Sequence, residues 1–345
     1  MKKFKCGACG NTVYFENVRC LYCGHALGFH PGKLEMAALA PGRDKLLHEV
    51  RRGSPPIAYC ANEAHGVCNW LVTSDSESGF CDACVLNRTI PNLADPANVR
   101  AWGDFEHAKK RLVYSLMRFG LPLDGAPSGK GPLTFDFIND ALTGHLDGVI
   151  TIAVGEADAV ERERQRQAMD ETYRSLLGHL RHESGHYYWM LLIEGTDRID
   201  EFRRIFGDER EDYTAALERH HAQGPPPDWS LRHVSAYASS HPWEDWAETW
   251  AHYLHMIDAL DTAAANRIEP RGTRFFGGTG RTIKAQDAYG SPSFATLIER
   301  WVPLTLALND LNRSMGHNDF YPFVIPELAV EKLGFVHRLI RESTP

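Results

Sequence analysis

Gly178-His179-Leu180-Arg181-His182-Glu183-Ser184-Gly185-His186-Tyr187-Tyr188-Trp189 is the stretch on which the reading of this chain turns. On a helix, residues four apart stand one above the other, so His182 and His186 present two imidazoles on one face. Such a pair can grip one zinc ion. Glu183, next to that face, is placed as a general base toward a water that the metal activates. The spacing alone is a weak sign, because a surface helix can carry two histidines at this interval by chance. Three features strengthen it. The motif lies inside an amphipathic helix read over 158–193, in which Met169, Tyr173, Leu177 and Leu180 bury one side after a solvated charge run from Glu161 to Gln167. Gly185 keeps bulk away beside the metal. A helix carrying carboxylates follows downstream. His179, one turn before His182, reads as a helix-surface histidine.

That downstream segment is Tyr237-Ala238-Ser239-Ser240-His241-Pro242-Trp243-Glu244-Asp245-Trp246-Ala247-Glu248, at the head of a helix read from Trp243 to Leu260. Glu244 and Glu248 share one face with Ala247 and Ala251, while Trp243, Trp246 and Trp250 form a core stripe roughly opposite. Small alanines let a second helix come close while the carboxylates reach across. Either glutamate could supply a third ligand; the plain alternative is two solvated glutamates on an amphipathic helix.

All eight cysteines fall between positions 6 and 84, and none occurs in the 261 residues that follow. Cys6-x-x-Cys9 and Cys20-x-x-Cys23 are two knuckles separated by ten residues, each aiming two thiolates at one tetrahedral ion. The second set is Cys60, Cys68, Cys81 and Cys84, with an unusually wide gap of seven residues between its first two members. His65 is an alternative ligand there, and His25 reads as a neighbour of the first site or a surface group. A module this small buries too little apolar surface to fold alone, so both sites read as structural, with the metal supplying folding energy. The composition shift places a boundary near Pro91, giving a double zinc-ribbon region over 1–90 and a second domain over 91–345.

Elsewhere, apolar spacings of three and four predict a helix from Asp95 to Gly120, and the β-branched run Gly148–Val154 predicts a strand. Residues 268–293 read as a loop; Gly277–Thr282 within it lacks the Lys-Ser/Thr of a phosphate loop. Helix is expected again around Trp301–Leu311 and from Glu327. Arg313, His317, Asp319 and Tyr321 form a polar cluster that suits a substrate pocket or plain capping and packing. The formal net charge of −8 argues against a nucleic-acid binder, although residues 1–53 carry nine Lys/Arg against four Asp/Glu. A basic module on an acidic body fits docking to a protein partner. No apolar run is long enough to span a membrane, and the charged start lacks an apolar core behind it. The expected location is cytoplasmic, where thiols stay reduced and ligate metal.

A His-Glu-x-x-His pair with a downstream Glu resembles the gluzincin class of zinc peptidases. The Tyr237–Glu248 stretch is similar to the lethal-factor-type pattern, in which a Glu-x-x-Ala-Glu follows a Tyr by seven residues. The whole chain resembles a bacterial family of zinc-binding metallopeptidases with an N-terminal double zinc ribbon. The matching stretches are Cys-Gly-Ala-Cys-Gly at 6–10, Cys-Asn-Trp-Leu-Val at 68–72, residues 178–189 quoted above, and Asn-Arg-Ser-Met-Gly at 312–316. The resemblance implies that Glu244 is the third ligand and that Glu248 hydrogen-bonds a ligand histidine from behind. It further implies that Tyr237 donates to the developing oxyanion, and that the strand at 148–154 is a sheet edge to which a peptide adds.

The fold expected is α+β, a mainly helical zincin-like domain with a small sheet behind two zinc ribbons. The expected cofactors are three Zn2+ ions, one catalytic and two structural, and the expected reaction is hydrolysis of a peptide or isopeptide bond. Two other readings stay open: a ribbon-based protein- or nucleic-acid-binding adaptor with an inactive zincin fold, and a zinc amidohydrolase acting on a non-peptide amide.

Overall fold

The structure, a computed structural model, describes residues 2–50, 54–125, 129–139, 141–168, 175–268 and 287–343. Contacts divide the chain into two compact units, one of residues 2–118 and 131–161, the other of residues 119–130 and 162–345.

In the first unit, β1 (Phe4–Lys5) and β2 (Thr12–Val13) form a hairpin around the first knuckle. Five strands follow as an antiparallel sheet in chain order: β3 (Ala26–His30), β4 (Glu35–Pro41), β5 (Leu47–Glu49), β6 (Ile57–Tyr59) and β7 (Leu71–Thr73). Next come β8 (Asn87–Thr89) and α1 (Pro96–Phe119). Asp95 caps α1 by accepting from Ala97 N at 2.8 Å, Pro96 takes the first helical position, and Gly120, with φ of 73°, ends it. Its apolar stripe is buried as the spacing predicts, from Trp102 and Phe105 through Leu112 to Leu116.

The two cysteine modules do not fold as separate beads. Phe15 of the first meets Phe29 at 4.8 Å between ring centroids, and Phe29 meets Trp70 of the second at 4.6 Å. Tyr114 of α1 closes the cluster, 5.4 Å from Phe15. Below it lies a buried polar knot in which Glu106 Oε1 accepts from Trp102 Nε1 at 3.1 Å, Asn87 Nδ2 at 2.8 Å and Lys109 Nζ at 2.7 Å. A shared aromatic core does what neither ribbon could do alone. The composition boundary near Pro91 is therefore crossed by dense packing, and by β8, which pairs in parallel with β9 (Thr134–Ile138).

The second sheet of this unit runs β10–β11–β9–β8, with β10 at Gly144–Leu146 and β11 at Val149–Ala153. The strand expected at 148–154 is thus present but is not an edge. It is parallel to β9 on one side and covered by antiparallel β10 on the other, with Ala153 N further bonded to Thr143 Oγ1 at 3.1 Å. The β-branched run predicts the strand; it carries no information on which neighbours take its two sides.

The second unit is helical: α2 (Ala159–Ala168, its first turn in the first unit), α3 (Leu176–Leu192), α4 (Ile199–Phe206), α5 (Tyr213–Gln223), α6 (Pro242–Asn266), α7 (Phe294–Ser314) and α8 (Glu327–Glu342). The single helix expected over 158–193 is corrected to two, because α3 starts afresh: Ser175 caps it by accepting from Gly178 N at 3.0 Å. Met169 and Tyr173 lie outside the described residues, as do 269–286 of the expected loop, Gly277–Thr282 among them. Among the described residues no helix is long and apolar enough to cross a membrane.

α6 is the axis of this unit. It packs against α3, α4, α7 and α8, and it is buried around its whole circumference. That corrects the picture of alanines and tryptophans on opposite faces, one turned to a neighbour and one to the core. Trp246 and Trp250 also face α3: their indoles donate to Gly185 O at 2.7 Å and Ser184 Oγ at 3.1 Å. On the far side, Lys332 of α8 donates to Asp245 at 2.6 Å, both nearly inaccessible.

At Gly185, α3 and α6 come close. A Cβ built there would lie 2.9 Å from Ala247 Cα and 3.2 Å from Trp250 Cβ. Its smallness serves helix approach, a different role from the one expected beside the metal. Gly185→Ala should destabilise the chain by about 1–3 kcal/mol through overpacking against backbone that cannot yield, which thermal unfolding would register; an unchanged unfolding temperature would refute the contact. A fragment beginning at Pro91 should be insoluble or lose helix, because it bares Trp102, Tyr114, Glu106 and Lys109 at once. A soluble fragment whose circular dichroism retains the α1 contribution would show that the ribbons are dispensable to it.

Candidate metal centre

α3 carries His182 and His186 on one face, and α6 meets that face with its first turn. His241 precedes that turn and Pro242 opens it, so Glu244 and Asp245 sit where the helix dipole favours negative charge. Glu244 is 1% exposed. Its Oε2 lies 3.0 Å from His182 Nε2 and its Oε1 lies 3.6 Å from His186 Nε2. Donor atoms of these three residues all fall within 4.8 Å of one another. The structure thus brings together the three residues that the resemblance names, from two helices.

Glu248, one turn further along α6, stands behind them. Its Oε1 is 2.8 Å from His182 Nδ1, and its Oε2 accepts from Ser235 Oγ at 2.6 Å. A carboxylate on Nδ1 fixes the ring orientation and leaves Nε2 turned to Glu244. The other imidazole is steadied by packing: the Trp243 ring lies 3.9 Å from that of His186.

The electrostatics call for a cation. Burial raises both carboxyls, yet the charge of His186 and the bond to His182 hold Glu244 at about 2, and the bond to His182 holds Glu248 at about 2. Burial likewise pushes His182 down, but its bonds to Glu244 and Glu248 lift it well above its ordinary value. The two carboxylates thus draw their counter-charge from the histidines, and with both rings neutral, as metal ligation requires, they are short of positive charge. A dication bound by two ring nitrogens and a carboxylate oxygen fits that deficit and the zinc donor set.

Glu183 is buried at 8% exposure, directly after His182. Tyr237 lies in a short 3-10 turn, its ring 6.0 Å from that of His182. Burial, with the charges of Glu244 and Glu183 nearby, keeps its phenol well above the ordinary tyrosine value. Ser235 links this turn to the centre, since its Oγ accepts from Ala238 N at 3.1 Å while bonding Glu248. Two contributors escaped the sequence reading. Ser235 has no spacing motif toward Glu248, and Tyr213, whose hydroxyl donates to Glu244 Oε1 at 2.7 Å, stands 31 residues upstream. His179 is half-buried in the first turns of α3.

The C-terminal polar cluster is split by the fold. Arg313 forms a two-pronged pair with Asp319 at 2.6 and 2.7 Å on the surface, where His317 is also exposed. Tyr321 is instead core, 4.9 Å from Trp301, with its hydroxyl 2.7 Å from His252 Nδ1.

Each cysteine set converges: Cys6, Cys9, Cys20 and Cys23 in one cluster, Cys60, Cys68, Cys81 and Cys84 in the other. The wide gap after Cys60 is filled by a 3-10 helix, Ala61–His65, ended by Gly66 at φ of 71°. His65 turns to Trp102, at 5.7 Å between rings, while His25 Nδ1 is 3.4 Å from Cys23 Sγ. These four-thiolate clusters are zinc-binding sites by their chemistry.

Residues 98–339 match the family described as "Putative zinc-binding metallo-peptidase", and residues 3–95 match a zinc-ribbon domain. Proteins of Mycobacterium tuberculosis (strain H37Rv) and Mycobacterium bovis, each called uncharacterized, are 42% identical to this chain over 351 residues, covering 100% of it and 97% of their own length. No solved structure matches it. Ribbon and helical region are thus both accounted for along the chain, which belongs to the family described as "Putative zinc-binding metallo-peptidase", with a zinc ribbon at its N-terminal end.

Proposed function

We propose that the protein hydrolyses a peptide or isopeptide bond, with Glu183 as general base. The observation that supports this best is the convergence of His182, His186 and Glu244 in a buried site, with Glu183 next to the first of them. His182, His186 and Glu244 would hold a zinc ion, which would supply Lewis acidity and lower the pKa of a water to about 7. Glu183 takes the proton of the attacking water and returns it to the leaving amine, so that the base of one step is the acid of the next. Tyr237 donates to the oxygen on which negative charge builds. Its raised phenol keeps that proton throughout the neutral and mildly alkaline range. Glu248 and Ser235 hold the His182 ring in register. The ribbons dock a protein partner or substrate; the exposed Leu21 and Tyr22 of the second knuckle, 97% and 78% accessible, support that part of the reading.

Cleavage of a proteome-derived peptide library by the full chain tests the reaction. Glu183→Gln should lower turnover by about 10²–10⁴-fold while zinc content and fold stay as in the parent. Cleavage undiminished in that variant, or zinc lost along with it, would overturn the assignment of the base.

Metal content tests the ligand set. Elemental analysis of chain purified without chelator should give three zinc ions. Glu244→Ala should give two, whereas Glu248→Ala should keep three at saturating zinc with affinity for the third lowered about 10–100-fold. If Glu248→Ala loses the ion and Glu244→Ala keeps it, the two roles are reversed.

A further inference from the structure

We infer that Tyr213 is a positioning residue of the metal centre, which fixes the Glu244 carboxylate in the orientation it presents to the histidine pair. The inference rests on the reading of His182, His186 and Glu244 as metal ligands given above.

A buried carboxylate on a helix can turn about its last side-chain bond and exchange its two oxygens. Here the two oxygens have different surroundings, and Oε1, which lies 3.6 Å from His186 Nε2, is the one that also meets Tyr213. Oε1 accepts from the Tyr213 hydroxyl at 2.7 Å, and Oε2 faces His182 Nε2 at 3.0 Å. A phenol suits the task because it donates one proton without bringing a charge that would compete with the metal. A lysine or arginine would cancel the carboxylate; a phenylalanine would leave Oε1 without this donor.

Tyr213 is itself held in place. Asp212 caps α5 by accepting from Ala215 N at 2.9 Å, which makes Tyr213 the first residue of that helix. Its ring meets His241 edge-on at 5.2 Å and Trp243 at 5.8 Å. His241 does more than contact it. Its Nδ1 accepts from Trp243 N at 3.1 Å, capping α6, so in the neutral ring the proton sits on Nε2, which lies 3.2 Å from Glu211 O. One imidazole, 4% exposed, therefore ties the start of the helix that carries Glu244 to the backbone two residues before Tyr213. Donor and acceptor belong to one framework, and the bond between them is not a chance meeting of two side chains. Each of two ligands then has its own support: His182 leans on Glu248, and Glu244 on Tyr213.

The test uses the full chain with Tyr213→Phe, which keeps the ring and removes only the hydroxyl. Zinc affinity is measured by competition with a chromophoric chelator, with His182→Ala marking the signal of the two cysteine sites alone. The visible absorption of the cobalt(II)-substituted chain is recorded alongside, and the unfolding temperature serves as control. Affinity of the non-cysteine site should fall about 10–100-fold, as for other groups that orient a ligand, and the cobalt bands should shift, while the cysteine-held metal and the unfolding temperature stay at parent values. Affinity and cobalt spectrum equal to the parent's would overturn the inference. So would a drop in unfolding temperature with metal lost from all three sites, which would mark a general packing role. Weakened zinc binding supports the inference whether or not the parent cleaves peptide, so the two readings fail separately.

Discussion

The close approach of α3 and α6 is the constraint on which the centre depends. Two imidazoles lie on one helix and a carboxylate on another, so their convergence is set by how near the axes come. Gly185 against Ala247 sets it. The indoles of Trp246 and Trp250 then lock the register, because each has a polar atom that must be satisfied once buried and finds it on α3. Hydrophobic burial brings the helices together; these two directional bonds decide which turn faces which. A slip of one turn would leave two indole protons and a buried Glu244 without their partners.

The supporting residues extend the same logic outward. Ser235 ties Glu248 to the turn that bears Tyr237, and His241 ties the start of α6 to the segment before Tyr213. Lys332 holds Asp245, the residue after Glu244, from the opposite side. The first turn of α6 is therefore gripped from several directions, which suits the ligand role proposed for Glu244.

Local signals in the sequence carried much of this. The period of Trp102 to Phe119 marks α1, and the Cys-x-x-Cys pairs and the His182–His186 interval are short-range patterns with a direct geometric meaning. The Glu244–Ala247–Glu248 face was legible because α6 is long and regular. What escaped reading depends on partners distant in sequence. β11 has the composition of a strand whichever side is covered, so its interior place could not be seen. Tyr213 and Ser235 meet their carboxylates only once the segments around them fold back. The fresh start of α3 does not show in the helical periodicity, although Ser175 followed by Gly178 is a clue to it. The smallness of Gly185 is visible in the sequence, but the neighbour that demands it lies 62 residues further on.

Lys109 and Lys110 stand beside the second cysteine cluster, 0% and 3% exposed. Four thiolates around a dication leave a net charge of −2, and a buried anion of that size needs counter-charge nearby. Lys109 supplies part of it, shared with Glu106, and Lys110 supplies more while donating to Val67 O. Emptying that cluster would leave the buried Lys110 ammonium with only the Val67 carbonyl, while Lys109 keeps Glu106. The first cluster has no such stake, for Cys9 and Cys23 are partly open and lean on Asn11 and His25. A zinc ion held by the first cluster would accordingly meet solvent more readily than one held by the second, so the more open cluster is the one from which exchange would start.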